Sequence, residues 1–174
     1  YNIDVEKTSG TITDITYQGY QFKDVRQATT VTDAGVTNTF GGRSKAGNST
    51  RDNEITVASG THTNVYGGWT SGAGTTAEDK NNSYKNKVTV SGSANVTDTV
   101  YGGYTEAANG RATGNEVTVT GGTVHDVVGG EAKGEASGNT VTLSANANVV
   151  TGGRSTGDAS NNTVNLSNAI VNSV

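Results

Sequence analysis

The residues that could carry chemistry are few in kind. The chain has 174 residues, with 16 Asp and Glu, 12 Lys and Arg, two His and no Cys. Without Cys there is neither a disulfide framework nor a thiolate metal site. Acid–base or glycosidic chemistry needs several carboxylates, or carboxylates with a Lys or Arg, converging on one face. Here the acids are scattered. Glu54 and Glu116 occupy equivalent positions of a repeat, but Lys87 lies between them and Thr140 follows. That reads as a solvated face of alternating charge. His62 and His125 fall at different repeat positions, so surface histidines are expected rather than a shared metal site. Gly152-Gly153-Arg154-Ser155-Thr156-Gly157-Asp158 has a superficial likeness to calcium-binding nonapeptides. Its spacing differs and it has no tandem copy. Gly72-Ala73-Gly74 lacks the strand-to-helix setting of a phosphate loop. No Ser/His/Asp arrangement can be read from position. No catalytic residue, metal or cofactor is expected.

Two side-chain series stand out instead. Thr56, Thr89, Thr118 and Thr142 form an outward ladder, the kind of array an ice-binding face uses. The neighbouring outward column is charged, so the plainer reading is that Thr suits an outward strand position. The aromatics carry more information. Tyr66 and Tyr101 immediately precede a Gly pair, and Trp69 and Tyr104 immediately follow one. If successive repeats stack in register, these four gather at one corner. Tyr and Trp are favoured at recognition surfaces, so the four are the candidate ligand-binding residues. The competing expectation is a packing ladder along that corner.

What positions them is a repeat. Gly pairs recur at 41–42, 67–68, 102–103, 129–130 and 152–153. An Asn-led segment follows each pair: Asn53 to Val57, Asn86 to Val90, Asn115 to Val119, Asn139 to Leu143 and Asn162 to Leu166. A third segment leads into the next pair, clearest at Gly60 to Val65 and Gly122 to Val127. Each unit reads as three short strands and three turns. Within the Asn-led strand Val117 and Val119 point one way and Glu116 and Thr118 the other. One unit cannot bury its apolar face alone, whereas a stack of units can. The expected fold is all-β: a β-solenoid of about five to six coils with three short strands per coil.

The inward columns follow. One holds Ile55, Val88, Val117, Val141 and Val164. A second holds Val57, Val90, Val119, Leu143 and Leu166. A third holds Val65, Val100, Val127 and Val150. Asn53, Asn86, Asn115, Asn139 and Asn162 are expected to form a structural amide ladder. Asn tolerates the left-handed conformation and can bond the backbone of its own turn. The Gly pairs are expected to mark positive-φ turns or places too tight for a Cβ.

Residues 1–38 read as a degenerate or capping N-terminal coil, and 39–174 as the repetitive solenoid. A polar loop insertion is expected near 71–84. The chain lacks Pro and Met and contains 25 Gly. Its net charge is −4 and its pI about 5.1, without a basic patch. That argues against nucleic acid as a partner. No stretch is apolar enough to span a bilayer, so no membrane insertion by this segment is expected. Because it starts at Tyr1 and stops where another Gly pair would fall, it is expected to be a piece of a larger protein.

The repeated Val-Tyr-Gly-Gly at Val65 to Gly68 and Val100 to Gly103 carries a family resemblance. So does Gly-Asn-x-Val-Thr-Val at Gly114 to Val119 and, with Leu last, Gly138 to Leu143. Over about residues 39–174 the chain resembles passenger domains of bacterial autotransporter adhesins. The resemblance implies a right-handed parallel β-helix held outside the cell by an outer-membrane barrel not present in this chain. It also implies a non-enzymatic adhesin or stalk. The expected partners are a host-cell or bacterial surface protein or a glycan. Two other functions compete. A fibre subunit would associate end to end with its own copies through open solenoid ends. A glycan-acting β-helix enzyme would need a carboxylate cluster assembled by the repeat.

Overall fold

The computed structural model describes residues 4–8, 11–16, 29–33, 35–44, 49–71 and 81–174. Those residues are all β, without a helix among them, and from Val36 onward they form a solenoid of parallel strands stacked in about five turns. Each turn contributes to three sheets. The Asn-led strands Glu54–Val57, Lys87–Val90, Glu116–Val119, Thr140–Leu143 and Thr163–Leu166 make one five-stranded parallel sheet. The register is unbroken: Ile55, Val88, Val117, Val141 and Val164 stand in line, as do Val57, Val90, Val119, Leu143 and Leu166. Apart from the last coil these side chains are at most 3% exposed. Each buried aliphatic is worth roughly 1.5–3 kcal/mol, so these columns hold the coils together.

The second sheet contains the Gly pairs, and of the two expectations for them the structure bears out the tight contact rather than the turn. Apart from 152–153, which follows the end of Ala147–Thr151, the pairs do not end strands. Asn64–Thr70, Asn95–Thr105 and Thr123–Ala132 each run straight through theirs. None of the paired glycines has a positive φ. Val65, Val100, Val127 and Val150 align in this sheet and are fully buried. The third sheet consists of two- and three-residue strands: Thr50–Arg51, Ser83–Tyr84, Arg111–Thr113, Glu135–Ser137 and Asp158–Ser160. Its inward column is Thr50, Ser83, Ala112, Ala136 and Ala159. These residues are small because the interior is narrow there.

The left-handed turn position differs from the expectation. It falls one residue before each ladder Asn, at Asp52, Lys85, Gly114, Gly138 and Asn161, with φ between 54° and 62°. The Asn itself has an ordinary φ, which frees its side chain to point inward. The turn tolerates Asp, Lys and Asn as well as Gly, at the modest cost of a left-handed backbone.

Two segment boundaries are refined. The described strands before Val36 are not a solenoid coil. Asp4–Thr8 and Thr11–Thr16 form a separate antiparallel pair. Thr29–Asp33 pairs antiparallel with Val36–Ser44 and occupies the N-terminal edge of the second sheet. Thr11–Thr16, within the segment read as a degenerate or capping coil, is thus one strand of an antiparallel pair. Of the loop expected near 71–84, residues 72–80 lie outside the described residues, as does Gly72-Ala73-Gly74. Its last part belongs to the wall: Asn81 and Asn82 are buried, and Ser83–Tyr84 is a strand.

A glycine line with an amide ladder inside and an aromatic corner outside

The five ladder asparagines do form a ladder, and it has a direction. The side-chain Nδ2 of Asn53 donates to Oδ1 of Asn86 (2.7 Å), Asn86 to Asn115 (3.0 Å), Asn115 to Asn139 (2.9 Å) and Asn139 to Asn162 (2.9 Å). Each Oδ1 also accepts the backbone N–H of the preceding Asn, at 3.0–3.2 Å. From Asn86 onward the same Nδ2 reaches back to a third-sheet carbonyl of the preceding coil: Thr50, Ser83, Ala112 and Ala136 in turn. A middle rung therefore uses both donors and accepts twice. Asn86, Asn115 and Asn139 are fully buried. A buried amide so satisfied is stable, while removing one leaves several groups orphaned.

The Gly pairs exist for this ladder. A Cβ on Gly103 would lie 2.5 Å from Asn115 Nδ2, and the same holds at Gly42 with Asn53 and Gly68 with Asn86. A Cβ on the first glycine, Gly102, would strike the carbonyl of Gly129 in the next coil and crowd Asn115 Cβ at 3.0 Å. Both glycines thus face inward against the same Asn. The small third-sheet column closes the other side, and a Cβ on Gly68 would also meet Thr50 Oγ1 and Ser83 Oγ. The two sequence motifs are therefore two halves of one contact. Along the chain the two motifs stand at varying separations, and nothing in that spacing sets them against each other.

Because both glycines face inward, strand alternation slips by one residue. The flanking residues then both face outward, and their rings converge across the bend. Tyr101 and Tyr104 meet edge to face at 5.2 Å, and Tyr66 and Tyr104 at 5.6 Å. Along the axis Tyr66 and Tyr101 stack in parallel register, with centroids 5.0 Å apart and planes at 4°. Trp69 leans the other way, toward the first coil. The structure thus brings Tyr66, Tyr101 and Tyr104 into one cluster, with Trp69 in register beside Tyr104.

Two members of this corner escaped the sequence reading. Phe40 precedes the first Gly pair and stacks on Tyr66 at 5.1 Å and 8°. Arg43 follows that pair, and its guanidinium lies 4.7 Å from the Trp69 ring and 4.9 Å from the Phe40 ring. Both occupy the positions already singled out in the later coils, so the repeat itself was the signal that could have found them. The outer columns continue as Val128 and Thr151, and as Glu131 and Arg154, which form an ion pair at 3.0 Å.

This packing limits what the corner can recognise. Both faces of Tyr66 are covered, by Phe40 and by Tyr101. In register on the far side of Tyr101 stands Val128, itself fully buried. The corner therefore does not present a row of open ring faces. Burial raises the phenol pKa of Tyr66, Tyr101 and Tyr104, that of Tyr104 to about 12, with neighbouring acids adding to the shift. The hydroxyls are therefore neutral donors across the ordinary pH range. No protein family, characterised protein or solved structure matches this chain.

The other candidate groups take structural or solvent-facing places. Glu54, Lys87 and Glu116 stand in one exposed row, with Lys87 Nζ 3.0 Å from Glu116. His62 bonds Thr39 Oγ1 (2.7 Å) and the Ser59 carbonyl (3.0 Å). It aligns with Val96 and Val124, one position away from His125. His125 pairs with Asp126 at 3.0 Å. Residues 152–158 are tied to the preceding coil: the Gly157 and Asp158 amides donate to the Lys133 and Gly134 carbonyls. Among the described residues no three His, Asp or Glu side chains gather as a metal site would require. The Thr ladder stands in register on the outer face.

Proposed function

We propose that this chain is a non-enzymatic extracellular segment acting as an adhesin or stalk, carried on the cell surface in the manner of an autotransporter passenger. The observation that supports this is the division along the glycine line. The inner side repeats the same Gly–Asn contact in every coil, which makes a rigid, extendable rod. The outer side is varied, and it concentrates five aromatics and an arginine on the first three coils. A rod needs the first property, and a recognition surface needs the second. A ligand on that surface is a host-cell or bacterial surface protein or a glycan, held by tyrosine hydroxyls and ring edges beside Trp69.

The end-to-end fibre is disfavoured by the N-terminal hairpin. Thr29–Asp33 already occupies the edge of the second sheet that an incoming copy would need. Two measurements test the proposal. Antibody labelling of intact producing cells should detect the segment at the surface. A glycan and surface-protein array should yield a ligand whose binding falls at least tenfold in Trp69→Ala, with the circular dichroism spectrum unchanged. Turnover of a polysaccharide in an activity screen, or labelling only after lysis, would contradict it.

A further inference from the structure

The tyrosine cluster has a chemical capacity that does not depend on any ligand. Tyr66 and Tyr101 are held in parallel register on adjacent coils, ring over ring at 5.0 Å. Tyr104 touches both, at 5.6 and 5.2 Å. All three are only half-buried, so part of each side chain is open to solvent. Among the described residues no other tyrosine has such a partner: Tyr84 lies in the third sheet, in register with Arg51 and Thr113.

We propose that Tyr66 and Tyr101 form an oxidative cross-linking site, at which a peroxide-driven oxidant joins the second and third coils through a dityrosine bond. Each phenol loses one hydrogen atom, as an electron to the oxidant and a proton to water. The two phenoxyl radicals couple through one Cε of each ring. The hydrogens displaced at the new carbon–carbon bond leave as protons and the oxygens are reprotonated, so both phenols are restored. Two electrons and two protons leave in all, and one hydrogen peroxide becomes two waters. The stacked rings must open like a hinge along the joined edge. Neutral phenols suit this route, because electron and proton leave together. Tyr104 can lose its electron first and pass the radical to either neighbour. The product would be a covalent staple across two coils of a segment proposed to work outside the cell.

The test treats dilute protein with a haem peroxidase and hydrogen peroxide, then digests the monomer for mass spectrometry. The expected product joins the Tyr66 and Tyr101 peptides with the loss of two hydrogens, and the monomer gains blue dityrosine fluorescence. Tyr66→Phe preserves the stack and should abolish that peptide pair, while Tyr84→Phe should leave its yield unchanged. The proposal is overturned if the monomer yields no dityrosine, if cross-links form only between chains, or if Tyr66→Phe retains wild-type fluorescence.

Discussion

The two sides of the glycine line obey different rules, although the same residues separate them. On the inner side every coil presents the same amide, and the contact is so tight that neither glycine can gain a methyl group. On the outer side the columns run Phe40, Tyr66, Tyr101, Val128, Thr151 and Arg43, Trp69, Tyr104, Glu131, Arg154. Aromatic, aliphatic, hydroxyl and charged groups all fit there. Packing density explains the contrast. A closed interior with every polar group bonded admits one solution, while a half-open corner admits many. The side free to vary is the side on which this segment's particular role can be written.

Substitutions that cross from one side to the other should break that contrast, and the largest effects belong to the interior. Val117→Asp places a charge in a column that is 1% exposed. An unpaired buried carboxylate costs several kcal/mol, so the middle coils should lose their cooperative melt. Thr118→Asp, one residue away on the outer face, should change stability by less than about 0.5 kcal/mol. Equal tolerance of the two in thermal melts would mean that the inward and outward assignment is reversed.

Asn115→Ala comes next. It removes the acceptor of the Asn86 N–H and Nδ2, and it strips a donor from Asn139 Oδ1 and the Ser83 carbonyl. With orphaned buried groups at about 1–3 kcal/mol each, urea denaturation should report a loss of about 3 kcal/mol or more. A wild-type midpoint would mean that the ladder contributes no stability.

Outer-side changes should be milder. Tyr66→Ala removes a ring stacked on both faces. At about 0.5–1.5 kcal/mol per aromatic pair plus its buried area, the melting temperature should fall by a few degrees without loss of cooperativity. The smallest effect is on pH dependence. Burial holds the cluster's phenols above the ordinary value of 10.0, with Tyr104 at about 12. A raised folded-state pKa gives stability that is complete below the unfolded pKa and lost as pH rises through the folded one. Stability should therefore be flat from neutral pH to about 10 and decline from there through about 12. Tyr66→Phe should soften that decline, as read from denaturation midpoints across the alkaline range.

Much of this architecture is legible in the sequence because the repeat writes it in letters. The Val columns follow from strict alternation, and the Asn ladder from one residue type recurring at one position. Three features are not legible, each for a physical reason. Gly-Gly reads equally well as a turn or as a tight contact, because both need the same missing Cβ. The pairs' ordinary φ and the distance from Gly103 to Asn115 distinguish them. The left-handed position holds Asp, Lys, Gly, Gly and Asn, so nothing repeats except the backbone. The third sheet turns inward only Thr, Ser and Ala, in strands too short for a hydrophobic period. At the corner, the positions of Tyr66, Trp69, Tyr101 and Tyr104 are readable from the repeat. The covering of their faces by Phe40 and by one another is a matter of side-chain geometry.

The central claim is that the paired glycines are required by the asparagine they face. A double-mutant cycle tests it most directly. Gly103→Ala should be strongly destabilising in the wild-type chain, since the new Cβ would lie 2.5 Å from Asn115 Nδ2. In an Asn115→Ala background the amide is gone and Gly103 has an ordinary φ, so most of that penalty should vanish. Urea denaturation of the four proteins should yield a coupling energy of about 1 kcal/mol or more, within the range seen for residues in contact. Additive penalties, with Gly103→Ala equally harmful in both backgrounds, would contradict the account.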